Sequence, residues 1–267
     1  MSGKTAPQLH GNPASLRARL DGGGLLIGLM VEQFARPALV KVLAHAGFDF
    51  VFLEYEHTFF SQTEMADTIL AARDNGLPVI VKTPQLERQE VSKLLEAGVH
   101  GIQLPRTETR EQVEELLGYM RYPPKGTRAV APGWGSSDHG PVPDWRAWMD
   151  AQDRETVLVA HIETALGIQN APEIVSATGV GMVYVGMADL SAELGHPGEY
   201  DNPVVKGAAE KVLALCKKHK VPFGTTPTGP EAARRWVAGG ARFFLADSEI
   251  GLLRRAAGEL LSSYRPR

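Results

Sequence analysis

Charged and imidazole side chains gather near the ends of four apolar runs in this sequence. They are Glu54, Glu56 and His57 in FDFVFLEYEH (48–57), Lys82 in PVIVKTP (78–84), His161 and Glu163 in VLVAHIET (157–164), and Asp189 in MVYVGMADL (182–190), with Ser191 following. Carboxylates hold hard divalent cations through oxygen, and a histidine beside a carboxylate can transfer protons near neutral pH. These residue types point to a metal centre with an acid/base pair.

Alternation along a strand indicates which of these side chains can meet. Residues two apart point the same way, so Glu54 and Glu56 share a face, as do His161 and Glu163. We predict that Glu163 and Asp189, from different strands, converge on one divalent cation, with water filling its other positions.

The histidine that follows the second run, His57, is the candidate proton-transfer residue, with a neighbouring carboxylate to fix its tautomer. Simpler roles stay open for all of these residues. A strand-end acid can cap the next helix or pair with an arginine, and His57 can serve only a loop hydrogen bond.

Eight short apolar runs alternate with segments of helical length, and they are the predicted strands. The runs are LLIGLMVE (25–32), FDFVFLEYEH (48–57), PVIVKTP (78–84), GIQLPR (101–106), VLVAHIET (157–164), MVYVGMADL (182–190), VPFGTTP (221–227) and FFLADSE (243–249). Nearly continuous apolar strands are typical of parallel sheets covered on both faces. Eight such units predict a (β/α)8 TIM barrel, in which the carboxyl ends of the strands form the active face.

A doubly wound open sheet is the alternative fold, but no GxGxxG turn follows any strand. We expect one barrel domain over residues 1–267, with residues 1–14 as a flexible tail. The proline- and glycine-rich segment 122–145 interrupts the alternation and is predicted to be a long loop, a kind of segment that is often functional.

The composition argues against large polyanionic partners. A formal charge of −3 and a pI near 6.3 provide no field for nucleic acid or an anionic membrane. The N-terminus lacks the profile of a signal peptide, and no window is apolar enough for a membrane span, so we expect a cytoplasmic protein with a small-molecule ligand. The single cysteine, Cys216, is expected to be a buried structural thiol.

Several of these stretches together resemble a known family, the HpcH/HpaI metal-dependent (class II) pyruvate aldolases, which include 4-hydroxy-2-oxoheptanedioate aldolase. The likeness runs along residues 15–260. It is carried by GFDFVFLEYEHT (47–58), PVIVKTPQ (78–85), KLLEAGVHGIQLPR (93–106), RYPPKGTR (121–128), VLVAHIET (157–164) and VGMADLSAELG (185–195). The resemblance implies a TIM barrel of the phosphoenolpyruvate/pyruvate-domain type and a homohexamer that exchanges its last helix between subunits.

The resemblance also implies a site. Glu163 and Asp189 match the acids that hold Mg²⁺, Mn²⁺ or Co²⁺, and the ion stabilises the pyruvate enolate formed as a C–C bond breaks. His57, oriented by the acid at Glu54, would handle the proton of the aldol hydroxyl. Three residues would lie against the oxoacid through their backbone: Gly186, Met187 and Ala188.

The sequence departs from the family pattern inside the site. Lys82 stands where the family has an arginine that binds the pyruvate carboxylate through two parallel hydrogen bonds, which lysine cannot reproduce. Arg106 could bind that carboxylate instead, or it could pair with a loop acid. Glu54 and Tyr55 replace an aspartate and a glycine, which shifts the geometry of the proton-transfer pair. His161 replaces a glutamine and could bind the metal, donate to the enolate or merely pack.

The predicted function is therefore a divalent-metal-dependent carbon–carbon lyase that cleaves or forms a bond beside a 2-oxo acid, with an aldehyde as second partner. One alternative is related enolate chemistry, such as citrate-type condensation or decarboxylation. Another is an oxoacid-binding barrel without turnover. A Schiff-base role for Lys82 is the further alternative, and nearby carboxylates that keep a lysine charged argue against it.

Overall fold

Eight parallel strands close into a barrel in sequence order, with the eighth strand paired to the first. The computed structural model describes residues 15–265, so the predicted tail at residues 1–14 lies outside the described residues. The strands are β1 (Leu26–Val31), β2 (Phe50–Glu54), β3 (Val79–Lys82), β4 (Gly101–Leu104), β5 (Val157–Ile162), β6 (Val180–Val185), β7 (Phe223–Thr225) and β8 (Phe243–Ser248). The predicted (β/α)8 TIM barrel is confirmed, and ring closure excludes the doubly wound sheet.

Helices surround the barrel and close its amino-terminal end. They are α1 (Leu16–Asp21), α2 (Pro37–Ala46), α3 (Gln62–Asp74), α4 (Arg88–Ala97), α5 (Arg110–Met120), α6 (Trp145–Glu155), α7 (Ala165–Gln169), α8 (Ala171–Ser176), α9 (Met187–Glu193), α10 (Pro203–His219), α11 (Pro230–Gly239) and α12 (Glu249–Tyr264), with a short 3₁₀ helix at Gly135–Ser137. Their ends follow local sequence signals. A capping box of Ser61 and Glu64 begins α3, and Gly47 ends α2 in the left-handed conformation.

The strands are shorter than predicted at their carboxyl ends, and the sixth differs most. Strand β6 ends at Val185, and residues 187–190, which were predicted to extend it, instead begin α9. The segment MADLSAELG (187–195) has apolar residues at helical spacing, and its last residue, Gly195, has a φ of 80°, a conformation that ends helices. Asp189 therefore lies in the first turn of a helix, beyond the end of the strand.

Two apolar layers hold the barrel together. One fills its interior and includes Phe50 and Phe243, whose rings stack at 4.0 Å, with Leu16 of α1 below them. The other lies between strands and helices and includes the fully buried Cys216, whose pKa is raised to about 12 by burial. The predicted structural thiol is thus buried. Among residues 15–265, none of the helices has the length and hydropathy of a membrane-spanning segment.

Candidate active site

Strand alternation places the polar residues inside the mouth of the barrel. At the start of β2 and β5, the side chains that point into the barrel are apolar and form part of the interior layer. They are Phe50 and Phe52 on β2 and Val157 and Val159 on β5. The next positions with the same parity are polar. They are Glu54 on β2, Lys82 on β3, Gln103 on β4, and His161 followed by Glu163 on β5, and all are buried. The interior apolar layer therefore forms the floor of a polar site.

The ammonium group of Lys82 lies between two carboxylates. Its Nζ is 3.4 Å from Oε2 of Glu54 and 2.6 Å from Oε2 of Glu56, and only 6% of the Lys82 side chain is exposed. Burial lowers the pKa of Lys82, but the negative charges of Glu54, Glu56 and Glu163 outweigh it and hold the pKa above its usual range. Lys82 is a charged residue here, so it is not poised as a Schiff-base nucleophile.

The imidazole of His57 pairs with a different acid from the one expected. Its Nε2 lies 3.3 Å from Oε2 of Glu56. Glu54 instead accepts the backbone N–H groups of Glu56 and His57 at 2.8 and 3.2 Å through Oε1, so it fixes the turn that carries the histidine. The side chain of His57 is 65% exposed, which leaves its ring open to the barrel mouth.

Glu163 is a buried carboxylate whose burial outweighs the stabilising positive charge nearby. Its Oε1 accepts the backbone N–H of Arg106 at 2.8 Å, which Arg106 presents from a left-handed conformation with φ of 44°. Burial raises the pKa of Glu163 to about 7; Lys82 and the Arg106 N–H oppose this shift, while the charges of Asp189 and Glu56 add to it. The charged form of Glu163 is therefore stabilised by any further cation that binds beside it.

The side chain of Arg106 points to surface acids. Its Nη2 lies 3.3 Å from Glu193 and 3.6 Å from Glu108, and the side chain is 55% exposed. The sequence left two roles open for this side chain, a contact with the oxoacid carboxylate and an ion pair with a loop acid. In the structure the side chain forms ion pairs with acids of a loop and of α9. Arg106 enters the site through its backbone N–H.

Asp189 reaches the same region from the first turn of α9, where its side chain is exposed. Its charge acts on Glu163, so the two predicted ligands are electrostatically coupled. Between them along the chain, Gly186 precedes the helix, and its backbone N–H donates to the carbonyl of Ile162 at 3.1 Å. Met187 is buried and Ala188 is exposed, so the three predicted backbone contacts form the junction between β6 and α9.

His161 forms a buried contact with a residue that sequence reasoning missed. Its Nδ1 lies 2.9 Å from Nε2 of Gln103. Burial, followed by the charges of Lys82 and His57, holds the pKa of His161 well below its usual range, so the ring is neutral. The available signal was a glutamine inside the apolar run GIQLPR, because a buried amide needs a hydrogen-bond partner.

His161 and Glu163 pack directly against the backbone of Gly186. A Cβ atom at Gly186 would lie 2.2 Å from Nε2 of His161 and 2.8 Å from Oε2 of Glu163, so this close approach requires glycine. Carboxylate oxygens are ligands that hard divalent cations prefer, so the donor types of Glu163 and Asp189 fit the ion that the sequence predicts.

A second group of ligand atoms competes for that assignment. One oxygen or nitrogen from each of Glu54, Glu56 and His57 lies within 4.8 Å of the others. The ammonium of Lys82 already contacts both of these carboxylates, and a second positive charge there would be repelled. Glu163 and Asp189 remain the predicted ligands, and this cluster is the second candidate.

Buried acids, a charged lysine and an exposed histidine at the carboxyl ends of the strands of a closed (β/α)8 barrel lie where enzymes of this fold have their active sites. A family model described as HpcH/HpaI aldolase/citrate lyase matches residues 28–256. The chain belongs to this family, and the predicted carbon–carbon lyase of the aldolase type is confirmed.

Individual relatives cover almost the whole chain. A protein of Klebsiella pneumoniae subsp. pneumoniae named 5-keto-4-deoxy-D-glucarate aldolase is 30% identical over 253 residues, which are 95% of this chain and 97% of the relative. The structure of an HpcH/HpaI aldolase from Desulfitobacterium hafniense DCB-2 has a TM-score of 0.89 at 27% identity, covering 94% and 98% of the two chains. A citrate synthase structure has a TM-score of 0.85 at 26% identity, covering 96% and 97%.

Proposed function

We propose that this protein is a divalent-metal-dependent aldolase that cleaves or forms the C–C bond between a 2-oxo acid and an aldehyde. Glu163 and Asp189 hold the cation, which is Mg²⁺, Mn²⁺ or Co²⁺, since oxygen ligands suit all three. The observation that carries the proposal is the buried Glu163 carboxylate, whose pKa is raised to about 7 by burial and by the neighbouring charge of Asp189. A cation at that place would offset both effects.

When bound, a divalent cation supplies Lewis-acid polarisation of the oxoacid carbonyl. The chain's own residues supply the rest. An ammonium group has three donors, and two of those on Lys82 face Glu54 and Glu56, so the third is available to the carboxylate of the oxoacid. The neutral ring of His161 holds Nε2, a buried atom without an aligned hydrogen-bond partner, against the backbone of Gly186. The backbone from Gly186 to Ala188 is proposed to lie against the oxoacid.

His57 is the proposed base of the cleavage direction. Nε2 of His57 faces Oε2 of Glu56 at 3.3 Å and carries the ring hydrogen, so Nδ1 is the basic nitrogen. Nδ1 takes the proton of the aldol hydroxyl as the C–C bond breaks, the hydroxyl carbon leaves as an aldehyde, and the electron pair of the broken bond passes into the oxoacid as its enolate. Protonation of the enolate carbon then releases the 2-oxo acid. Glu56 stabilises the charge that His57 acquires. Condensation runs through the same steps in reverse.

A second candidate is condensation of the oxoacid enolate with a different acceptor, as in citrate formation. It is favoured by the likeness to a citrate synthase over 96% of this chain. The aldolase proposal stands first because the curated relative of Klebsiella pneumoniae, which is 30% identical, is named as an aldolase. The two candidates share the enolate and differ in the acceptor.

A homohexamer is also proposed. The last helix, α12, exposes apolar side chains that an isolated barrel would leave in water: Leu253, Leu260, Leu261 and Tyr264. Exposed apolar surface of this kind is typical of subunit contacts. The molar mass in solution, measured by light scattering, tests the hexamer.

A cytoplasmic location remains a prediction.

Exchange of the methyl protons of pyruvate in D₂O, followed by NMR, tests the proposed function. We expect exchange with Mg²⁺ that EDTA abolishes. Binding of pyruvate without exchange would support the alternative of a barrel without turnover. Exchange that persists in EDTA would overturn the metal requirement.

Two matched variants separate the two candidate cation sites. Glu163→Gln is expected to abolish Mn²⁺ binding measured by electron paramagnetic resonance, while Glu56→Gln is expected to keep it. Glu114→Gln, at an exposed acid on α5 that pairs with Arg110, controls for the loss of one negative charge. Loss of Mn²⁺ binding in Glu56→Gln but not in Glu163→Gln would move the cation to the cluster of Glu54, Glu56 and His57.

A further inference from the structure

We propose that Gln103 is a positioning residue that fixes the tautomer of His161. In this tautomer Nδ1 of His161 accepts a hydrogen bond and Nε2 carries the hydrogen, so His161 donates to an oxygen of the 2-oxo acid and does not bind the cation. The inference rests on the proposed function for the nature of the ligand. It decides among three roles that the sequence leaves open for His161.

The geometry of the pair is well defined. Gln103 on β4 and His161 on β5 both face the barrel interior, with residue exposures of 1% and 5%, and Nε2 of Gln103 lies 2.9 Å from Nδ1 of His161. Thr107 holds the histidine backbone from both sides: its Oγ1 accepts the His161 N–H at 3.1 Å, and its own N–H donates to the His161 carbonyl at 2.9 Å. The ring of Tyr184 packs edge-on at 5.2 Å. The imidazole has little freedom to turn.

The other ring nitrogen gives an independent reason for the same tautomer. Nε2 of His161 lies 3.1 Å from Oε2 of Glu163. If Nε2 were bare, its lone pair would face the lone pairs of the carboxylate, which is repulsive at this distance. With a hydrogen on Nε2 the contact becomes attractive. A donating amide on one side and a carboxylate on the other therefore favour the same proton position.

The hydrogen on Nε2 has no aligned acceptor among the described residues. Nε2 of His161 is buried without a geometrically satisfied hydrogen bond, and so is Oε1 of Gln103. A buried donor of this kind is costly unless a ligand meets it. Nε2 lies at the junction of β6 and α9, so close to Gly186 that a Cβ atom there would be 2.2 Å away, and this junction is where the oxoacid is proposed to bind.

The alternative is a reversed pair. If the Gln103 amide were turned over, Oε1 would accept a hydrogen from Nδ1, and the lone pair of Nε2 would be free to serve as a third cation ligand. The two arrangements differ in which nitrogen carries the hydrogen, and ¹⁵N NMR of labelled histidine reads this directly. The readout needs no turnover.

The experiment compares wild type with Gln103→Glu and Gln103→Leu, all loaded with Mg²⁺. In wild type we expect hydrogen on Nε2 of His161. In Gln103→Glu the new carboxylate accepts from Nδ1, so the hydrogen is expected to move to Nδ1. Gln103→Leu, which keeps the volume without the amide, is expected to give a mixture. Gln169→Glu, an exposed position at the end of α7, controls for the added charge.

Function gives a second readout. Loss of one donor to the oxoacid is expected to weaken pyruvate binding in Gln103→Glu by about tenfold, with the Mn²⁺ affinity retained. His161→Ala is likewise expected to retain Mn²⁺ affinity. Hydrogen on Nδ1 in the wild type, or a large loss of Mn²⁺ affinity in His161→Ala, would overturn the inference. If the wild type failed to exchange pyruvate protons, the proposed function would fail while the tautomer result would still stand or fall by itself.

Discussion

The ammonium of Lys82 lies 2.6 Å from Oε2 of Glu56 on the inner wall of the barrel, and this ion pair is almost closed to solvent. Lys82 also faces Glu54, its direct neighbour in the register between β2 and β3. A buried charge that loses its partner is strongly destabilising, because it keeps the cost of leaving water and loses the attraction that offset it.

Lys82→Met should therefore destabilise the fold. We expect the free energy of unfolding in urea to fall by about 3 to 5 kcal/mol, as for other broken buried pairs. The double variant Lys82→Met/Glu54→Gln should recover part of the loss, since one of the stranded charges is gone. Lys206→Met, which breaks an exposed pair with Glu210, should cost less than about 1 kcal/mol. An unchanged free energy of unfolding in Lys82→Met would mean that the ammonium does not stabilise the two buried carboxylates.

The cation affinity should depend on pH through Glu163. Its pKa is raised to about 7, chiefly by burial, so the carboxyl is protonated below that pH and must lose its proton before a cation can bind. The Kd for Mn²⁺ should be flat above pH 7 and should rise about tenfold for each unit below it. Titrations of Mn²⁺ by electron paramagnetic resonance across this range measure the profile. A flat Kd down to about pH 5 would show that the carboxyl keeps the ordinary pKa of a glutamate.

Removal of the His57 imidazole should separate two steps of the reaction. His57→Asn is expected to slow aldol cleavage by about 10² to 10⁴, the usual contribution of one acid/base residue, while proton exchange of pyruvate is largely retained. Cleavage is followed by aldehyde release and exchange by NMR. Equal losses in both assays would assign His57 to the enolate step.

The partner of His57 can be identified by a pair of isosteric variants. Because Glu56 and not Glu54 contacts Nε2, Glu56→Gln should slow aldol cleavage, since the carboxylate that stabilises the imidazolium formed during proton transfer is lost. Glu54→Gln, which changes an acid that holds the turn backbone, should slow cleavage less. The opposite pattern would restore Glu54 as the orienting acid.

A buried carboxylate at the other side of the barrel mouth should stiffen the loop after β1. Glu249 accepts the backbone N–H groups of Glu32, Gln33 and Phe34 at distances between 2.6 and 3.0 Å. Glu249→Gln is expected to cost about 1 to 3 kcal/mol in the free energy of unfolding, because charge-assisted bonds are lost. Amide hydrogen exchange at Gln33 and Phe34 should speed up. The exposed Glu259→Gln on the same helix is the control, and equal exchange in both variants would count against the anchor.

The amino-acid sequence alone predicts the barrel and many of the polar residues that gather at its mouth. Eight apolar runs with helical segments between them leave few ways to bury both faces of each strand, so the fold follows from periodicity. Parity along β2 and β5 likewise places Glu54, His161 and Glu163 inside the mouth, because successive side chains on a strand point to opposite faces. These are local properties of the chain.

The contacts between these side chains depend on the folded arrangement of the barrel. The turn after β2 gives Glu54 to backbone amides and turns Glu56 toward His57 and Lys82. Asp189 was predicted to lie on a strand and lies on a helix. After β6 ends at Val185, the segment MADLSAELG forms its backbone hydrogen bonds within α9. The contact between Gln103 and His161 joins positions 58 residues apart. Such pairings depend on strand register and turn geometry across the barrel, and the spacing of residues within one segment does not encode them.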